Sequence, residues 1–245
     1  SIGLVGSEMC IRDRLCEGGF IPSQILLIES GNARLLGDQD GRLSTLARLQ
    51  EGSFVGLASL LRCAPCEEVR AASELVAYSL KDDVLLEMVK TDAAIAAACR
   101  DHLWEAELAA LVQIQLEKSP SESRPIGSLL AELLPLAQTL DASNSAAIQQ
   151  ALTDGKRVFL ASQVSETETV SLGDELSLAS DIDALPLDQH GLAARLIALP
   201  DSAAQTLVPS EQAKPVNPEV FTSTTSNKLN EKQIPEAPLR PPVTV

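Results

Sequence analysis

The chain has 245 residues, 45% of them hydrophobic but only 2% aromatic, and a formal net charge of −15. That length allows one or two ordinary domains with aliphatic cores, while the acidic balance and the scarcity of rings argue against gripping a phosphate backbone or stacking on bases. The longest apolar runs, such as Ala93 to Cys99, fall far short of the roughly 20 residues of a spanning helix, so no membrane span is expected.

At the N-terminus, Leu4-Val-Gly-Ser-Glu-Met-Cys-Ile-Arg-Asp13 resembles the in-frame translation of a transposon-type sequencing adapter, and Arg14 continues it. Segments foreign to a gene are set aside from fold reasoning. Residues 1–14 are therefore expected to be an adapter-derived artefact in front of a truncated native domain over 15–118.

The next stretch reads as a meander of short strands. Gln24-Ile-Leu-Leu-Ile-Glu29 and Ala33-Arg-Leu-Leu-Gly37 flank a Ser30-Gly31-Asn32 turn, and Asp38-Gln-Asp-Gly41 leads into Arg42 to Leu49. Turn residues recur between these runs at hairpin intervals. Gly52 and Phe54 precede a short apolar piece, Val55 to Leu61, and two more strands are expected at Glu67 to Ala71 and Glu74 to Leu80. From Lys81 the apolar residues fall three or four apart (Val84, Leu85, Met88, Val89, then Ile95, Cys99, Leu103, Ala106, Ala110, Ile114), which predicts helices, with Thr91-Asp92 offering an N-cap between two of them.

Pro120 and Pro125 punctuate a polar linker over 119–125. Beyond it, Ile126 to Leu140 and Ala146 to Leu152 suggest helices, the first interrupted by Pro135, while Arg157 to Ala161 and Leu192 to Leu199 suggest strands. A small α/β region over 126–199 is expected. Eight of the fourteen prolines lie in residues 200–245, a composition that buries too little surface to offset ordering entropy, so this span reads as a flexible, disordered tail or linker. It closes on Pro241-Pro-Val-Thr-Val245, and more native sequence is expected beyond it.

The order of a strand meander, a Gly52-x-Phe54-x-Gly56 cassette with a short helix, Pro65, two strands and closing helices resembles the cyclic nucleotide-binding domain. The resemblance covers residues 16 to about 118 and implies a mainly β fold, a jelly-roll-like β-roll followed by α-helices. In that family the short helix presents backbone N–H groups to the cyclic phosphate, an Arg pairs with it, and a Glu accepts from the ribose hydroxyl. A guanidinium matches phosphate geometry with charge-assisted bonds that a neutral group cannot replace. The resemblance implies a degenerate ligand cassette made of Gly52, Phe54, Gly56, Leu57, Ala58, Ser59 and Cys66. Matched without gaps from Gly56, Leu57 stands at the Glu position, Pro65 at the Pro and Cys66 at the Arg. Glu67 and Glu68 follow and are expected to repel a phosphate. Arg62 and Arg70 are cations at the wrong spacing, and loss of cyclic-nucleotide binding is expected.

Other constellations are weaker. Cys63-Ala-Pro-Cys66 has metal or redox spacing, but zinc wants four ligands and only Cys99 and His102 are at hand. His102 and His190 have no nucleophile motif beside them, Gly155-Lys156 lacks the rest of a phosphate loop, and Ser165 to Thr169, Asp174-Glu175, Asp181 and Asp183 fit no calcium loop. No catalytic residue, metal or cofactor is expected. Five irregularly spaced cysteines fit reduced thiols and a cytoplasmic setting. A helix-turn-helix regulator would need basic residues after the long helix, whereas residues 125–199 carry about −7. No nucleic-acid partner is expected.

Arg34-Leu-Leu-Gly37, Gly56-Leu-Ala-Ser-Leu-Leu-Arg62, Pro65-Cys66-Glu67 and Arg157-Val-Phe-Leu-Ala161 resemble the N-terminal region of cyanobacterial ABC exporters that contain a bacteriocin-type cysteine peptidase. That resemblance implies a non-catalytic regulatory or docking module on the cytoplasmic face of a membrane export system, with the other domains of the parent transporter as partners. The alternative is a genuine sensor of a cyclic nucleotide or another small ligand in a signalling or regulator protein.

Overall fold

A computed structural model describes residues 5–39, 41–118, 124–165, 170–177, 182 and 185–207. Residues 119–123 of the expected linker, 208–245 of the expected tail, Glu166 to Thr169, Asp181 and Asp183 lie outside the described residues.

Two four-stranded antiparallel sheets make the roll. One has the order β1 (Val5–Met9), β8 (Leu75–Lys81), β3 (Gln24–Ser30), β6 (Phe54–Val55), and the other β2 (Arg14–Cys16), β7 (Glu68–Ala71), β4 (Ala33–Gln39), β5 (Arg42–Leu49). The turns decide the register. Gly31 sits at φ +90, where an added Cβ would stand 2.3 Å from the Glu74 carbonyl oxygen, so only glycine fits between β3 and β4. Gly41 at φ +77 donates to Asp38 Oδ1 at 2.8 Å and closes the β4–β5 hairpin, whose pairing runs from Ala33↔Leu49 to Gln39↔Arg42. Inward residues of both sheets, among them Leu26, Ile28, Leu35, Val69 and Leu75, bury against one another, an aliphatic sandwich as the two-residue period requires.

The apolar piece after Phe54 divides into β6 and a one-and-a-half-turn helix, α1 (Leu57–Leu61), every residue of which is buried. Closing helices follow as α2 (Asp82–Thr91), α3 (Ala93–Asp101) and α4 (Glu105–Lys118). Asp92 caps α3 as expected, its Oδ1 accepting from Ala94 N at 2.8 Å and Ile95 N at 3.1 Å. The described residues of 5–118 thus form a mainly β roll followed by helices, the fold class expected for 15–118. The segment set aside at the N-terminus lies as β1 along the edge of β8, from Val5↔Ser79 to Met9↔Leu75.

The later region departs from expectation in three ways. The helix from Ile126 ends at Leu133 (α5) instead of Leu140, because Pro135 cannot continue it, and Gln138–Asp141 becomes strand β9. With α6 (Ser145–Thr153), β10 (Lys156–Leu160), β11 (Glu175–Leu176) and β12 (Arg195–Pro200), a third antiparallel sheet forms in the order β11-β10-β12-β9. This sheet is not a unit of its own: the described residues up to Leu207 belong to one compact body, since Leu108, Leu111 and Val112 of α4 share a core with α5, Phe159, Ile197 and Leu199. The expected tail also begins later than residue 200. Asp201–Ala204 form α7, and Ala203, Ala204 and Leu207 are buried in that same core. Local polarity hides these three apolar residues; only the sheet beside them reveals where they belong.

Candidate functional site

The chain leaves β6 through Gly56, at φ +89, where a Cβ would meet Pro22 Cγ at 2.6 Å. Only glycine makes this turn into α1 without clash. The backbone N–H groups at the start of α1 have no partner within the helix. They find one in Glu67, which is 4% exposed. Gly56 N donates to its Oε1 at 2.8 Å, Ser59 N to Oε2 at 2.9 Å, and the Ser59 hydroxyl to Oε2 at 2.9 Å. Burial pushes the Glu67 pKa up, opposed by these three donors and by the charge of Arg62. The expectation of a repelling carboxylate is therefore sharpened: Glu67 does not stand near the donors of the cassette, it occupies them. Glu68 turns outward, pairing with Arg70 at 2.9 Å and accepting from Gly18 N at 2.9 Å.

The predicted cassette residues divide between two places. Gly52, Phe54 and Leu57 line a groove of about 630 Å³ with Leu85, Met88 and Trp104. Cys66 lines a separate cavity of about 580 Å³ between the roll and α4. Ala58 and Ser59 are buried, and Ser59 Oγ accepts from Cys66 N at 3.1 Å. The two lost anchor positions, Leu57 and Cys66, thus face different spaces. Arg70 is tied to Glu68, and Arg62 does not reach the start of α1: its Nε donates to the Ala161 carbonyl at 3.0 Å, while its own carbonyl accepts from Gln163 N at 2.7 Å.

The Cys-x-x-Cys pair carries no shared chemistry. Cys63 holds φ +53, a sparsely populated conformation for a non-glycine residue, and its Sγ donates to Asp188 Oδ2 at 3.2 Å. Asp188 in turn accepts from the backbone N–H groups of His190 and Leu192, both at 2.8 Å. Burial pushes the thiols of Cys16, Cys63 and Cys66 up to about 12, with Asp188 adding to the effect at Cys63. Thiolates are the reactive species, so iodoacetamide at pH 8 is expected to label the folded protein at the exposed Cys10 alone. A second adduct on Cys66 formed at a comparable rate, seen by peptide mass analysis, would contradict this burial. Cys99 and His102 sit elsewhere, their carbonyls accepting from Arg195 at 2.8 and 2.9 Å. Among the described residues no group of three or more His, Cys, Asp or Glu is placed to hold a metal ion, and no helix is long and apolar enough to cross a membrane.

Residues 11–92 match the family model described as the cyclic nucleotide-binding domain. No curated protein matches the chain. Similar solved structures include a cyclic nucleotide-binding domain from Methylobacillus flagellatus KT, 17% identical, covering 50% of this chain and 69% of its own, with a TM-score of 0.37. The N-terminal domain of a transcriptional regulator from Streptomyces coelicolor A3(2) is 18% identical over 50% of this chain and 81% of its own, with a TM-score of 0.33. The cAMP-bound form of the EAL enzyme Bd1971 is 17% identical over 64% of this chain and 37% of its own, with a TM-score of 0.35.

Proposed function

We propose that this protein is a non-catalytic regulatory or docking module built on a cyclic-nucleotide-binding-type roll that no longer takes cAMP or cGMP. The observation that carries the reading is the Glu67 carboxylate, seated on the Gly56 and Ser59 N–H groups where the family presents donors to the phosphate. A phosphate entering there must displace a buried carboxylate that already makes three hydrogen bonds, and without an Arg at position 66 it gains no guanidinium in return. The missing Arg alone costs about 1.5–3 kcal/mol. The position 57 side chain is a leucine, which itself offers a ribose hydroxyl no acceptor.

The wider setting, the cytoplasmic side of a membrane export system whose other domains the module contacts, is supported by the likeness of Gly56 to Arg62 and of Arg157 to Ala161 to exporter N-terminal regions. Calorimetry of the intact chain with cAMP and with cGMP at high micromolar concentration is expected to give no saturable heat. Saturable binding of either messenger refutes the reading of Glu67 as a permanent occupant.

A further inference from the structure

Arg62 is 1% exposed, yet among the described residues it forms no ion pair. A buried guanidinium without an anionic partner is costly. Glu67 acts on Arg62 only through space, because both its oxygens face the N–H groups of α1 and the Ser59 hydroxyl. Arg62 lines the 580 Å³ cavity, as do Arg14 and Arg70. Those two are matched by Glu17 at 2.8 Å and Glu68 at 2.9 Å, so Arg62 is the lining cation with no carboxylate of its own among the described residues.

Aliphatic side chains make much of the remaining wall, alongside Glu17, Asp38, Glu68, Gln113 and Glu117. Leu36 and Leu46 come from the roll, Ala109, Ala110 and Ile114 from α4, and among the described residues no aromatic side chain lines it. Its volume falls within the roughly 300–1,000 Å³ of small-molecule sites. A nucleobase would find no ring to stack on among these residues, and the four wall carboxylates, Glu17, Asp38, Glu68 and Glu117, disfavour a dianion over a monoanion.

We infer that this cavity binds a small aliphatic carboxylate, its acid group paired with Arg62 and its chain lying between the roll and α4. The inference rests on the reading above that the cassette has ceased to take a cyclic nucleotide. A guanidinium pairs a carboxylate with parallel charge-assisted bonds, and the walls desolvate an alkyl chain. Octanoate is a suitable probe, with octanol and octyl phosphate as its neutral and phosphorylated counterparts, all below their self-association concentrations.

Calorimetry on the full chain is expected to show saturable one-to-one binding of octanoate. Arg62→Met weakens it at least roughly tenfold, the effect of losing a charge-assisted bond. Ala110→Phe, which fills the cavity and leaves Arg62 in place, abolishes it while circular dichroism is unchanged. Should Arg62→Met fail to fold, Ala110→Phe together with the octanol comparison decides. The inference is overturned if octanoate gives no saturable heat, if octanol binds as tightly, if octyl phosphate binds more tightly, or if Ala110→Phe binds octanoate like the parent. Heat from cAMP, measured separately, speaks against the closed cassette and leaves the octanoate result to be judged by its own comparisons.

Discussion

Glu107→Ala is expected to lower the free energy of unfolding by about 3–5 kcal/mol, the cost of leaving a buried charge without its partner, and the melting temperature by roughly 6 to 20 °C for a body of this size. Glu107 on α4 and Arg195 on β12 are 1% and 7% exposed. They meet in a bidentate pair, Arg195 Nε to Oε1 at 2.8 Å and Nη2 to Oε2 at 3.0 Å. The remaining donors reach the Cys99 and His102 carbonyls and Thr139 Oγ1, and the guanidinium carbon lies 5.1 Å from the centre of the Trp104 ring. Each nitrogen of the fork therefore has at least one acceptor, in a setting that favours a positive charge. Removing the carboxylate keeps that charge buried among carbonyl dipoles and a ring face, which cannot neutralise it. The double variant Glu107→Leu with Arg195→Met replaces the pair by apolar groups and is expected to recover much of the loss. Urea titrations of the three proteins check both statements. If the single variant loses less than about 1 kcal/mol, the range of an exposed pair, the pair is not desolvated as described.

Glu67→Ala is expected to cost about 2–4 kcal/mol at pH 7, because two buried backbone N–H groups and a hydroxyl lose their acceptor. Relief of the desolvation of the carboxylate works against this, which keeps the effect below a simple sum of three bonds. The direction of the Glu67 pKa makes a second, sharper statement. Burial raises it above the ordinary value of 4.5, so as pH rises through that value the unfolded chain releases its proton while the folded protein still holds it. The folded state is then the better proton binder and loses stability with rising pH until its own pKa is passed. Glu67→Gln cannot titrate, so the stability of the parent relative to this variant is expected to fall from pH 4.5 upward across that window. Unfolding curves at half-unit pH steps decide the matter. A parent that gains on the variant as pH rises would mean that the three donors, not burial, set the carboxylate's affinity for its proton.

The roll could be read from local signals. Residues 42–49 emerge as a strand with the expected bounds because turn residues flank an apolar-rich run, and Asp92 stands as the cap of α3 because the helical period resumes directly after it. The cassette was legible as a sequence of residue types, but its chemistry was not. Nothing in the order Cys66-Glu67-Glu68 tells which of two neighbouring carboxylates folds inward; the start of β7 at Glu68 decides that, with Val69 and Ala71 inward, Glu68 turned to Arg70, and Glu67 just before the strand on the buried side. The pairing of Glu107 with Arg195 spans 88 residues, and a contact of that kind leaves no period on either segment. The same applies to Asp188, whose turn meets Cys63 across 125 residues. An odd charged residue inside an apolar strand, such as Arg195 between Ala194 and Leu196, was the one available hint that a buried partner had to exist.

The sharing of α4 between two cores bears on anyone who wishes to shorten this protein. A chain trimmed after Lys118, the natural place to stop if the roll were self-sufficient, would bring Leu108, Leu111 and Val112 into water along one flank of its last helix and strand Glu107 without Arg195. Such a piece is liable to stick to itself through that flank. A cut placed after Leu207 keeps the lid on both chambers and is the shorter form worth crystallising.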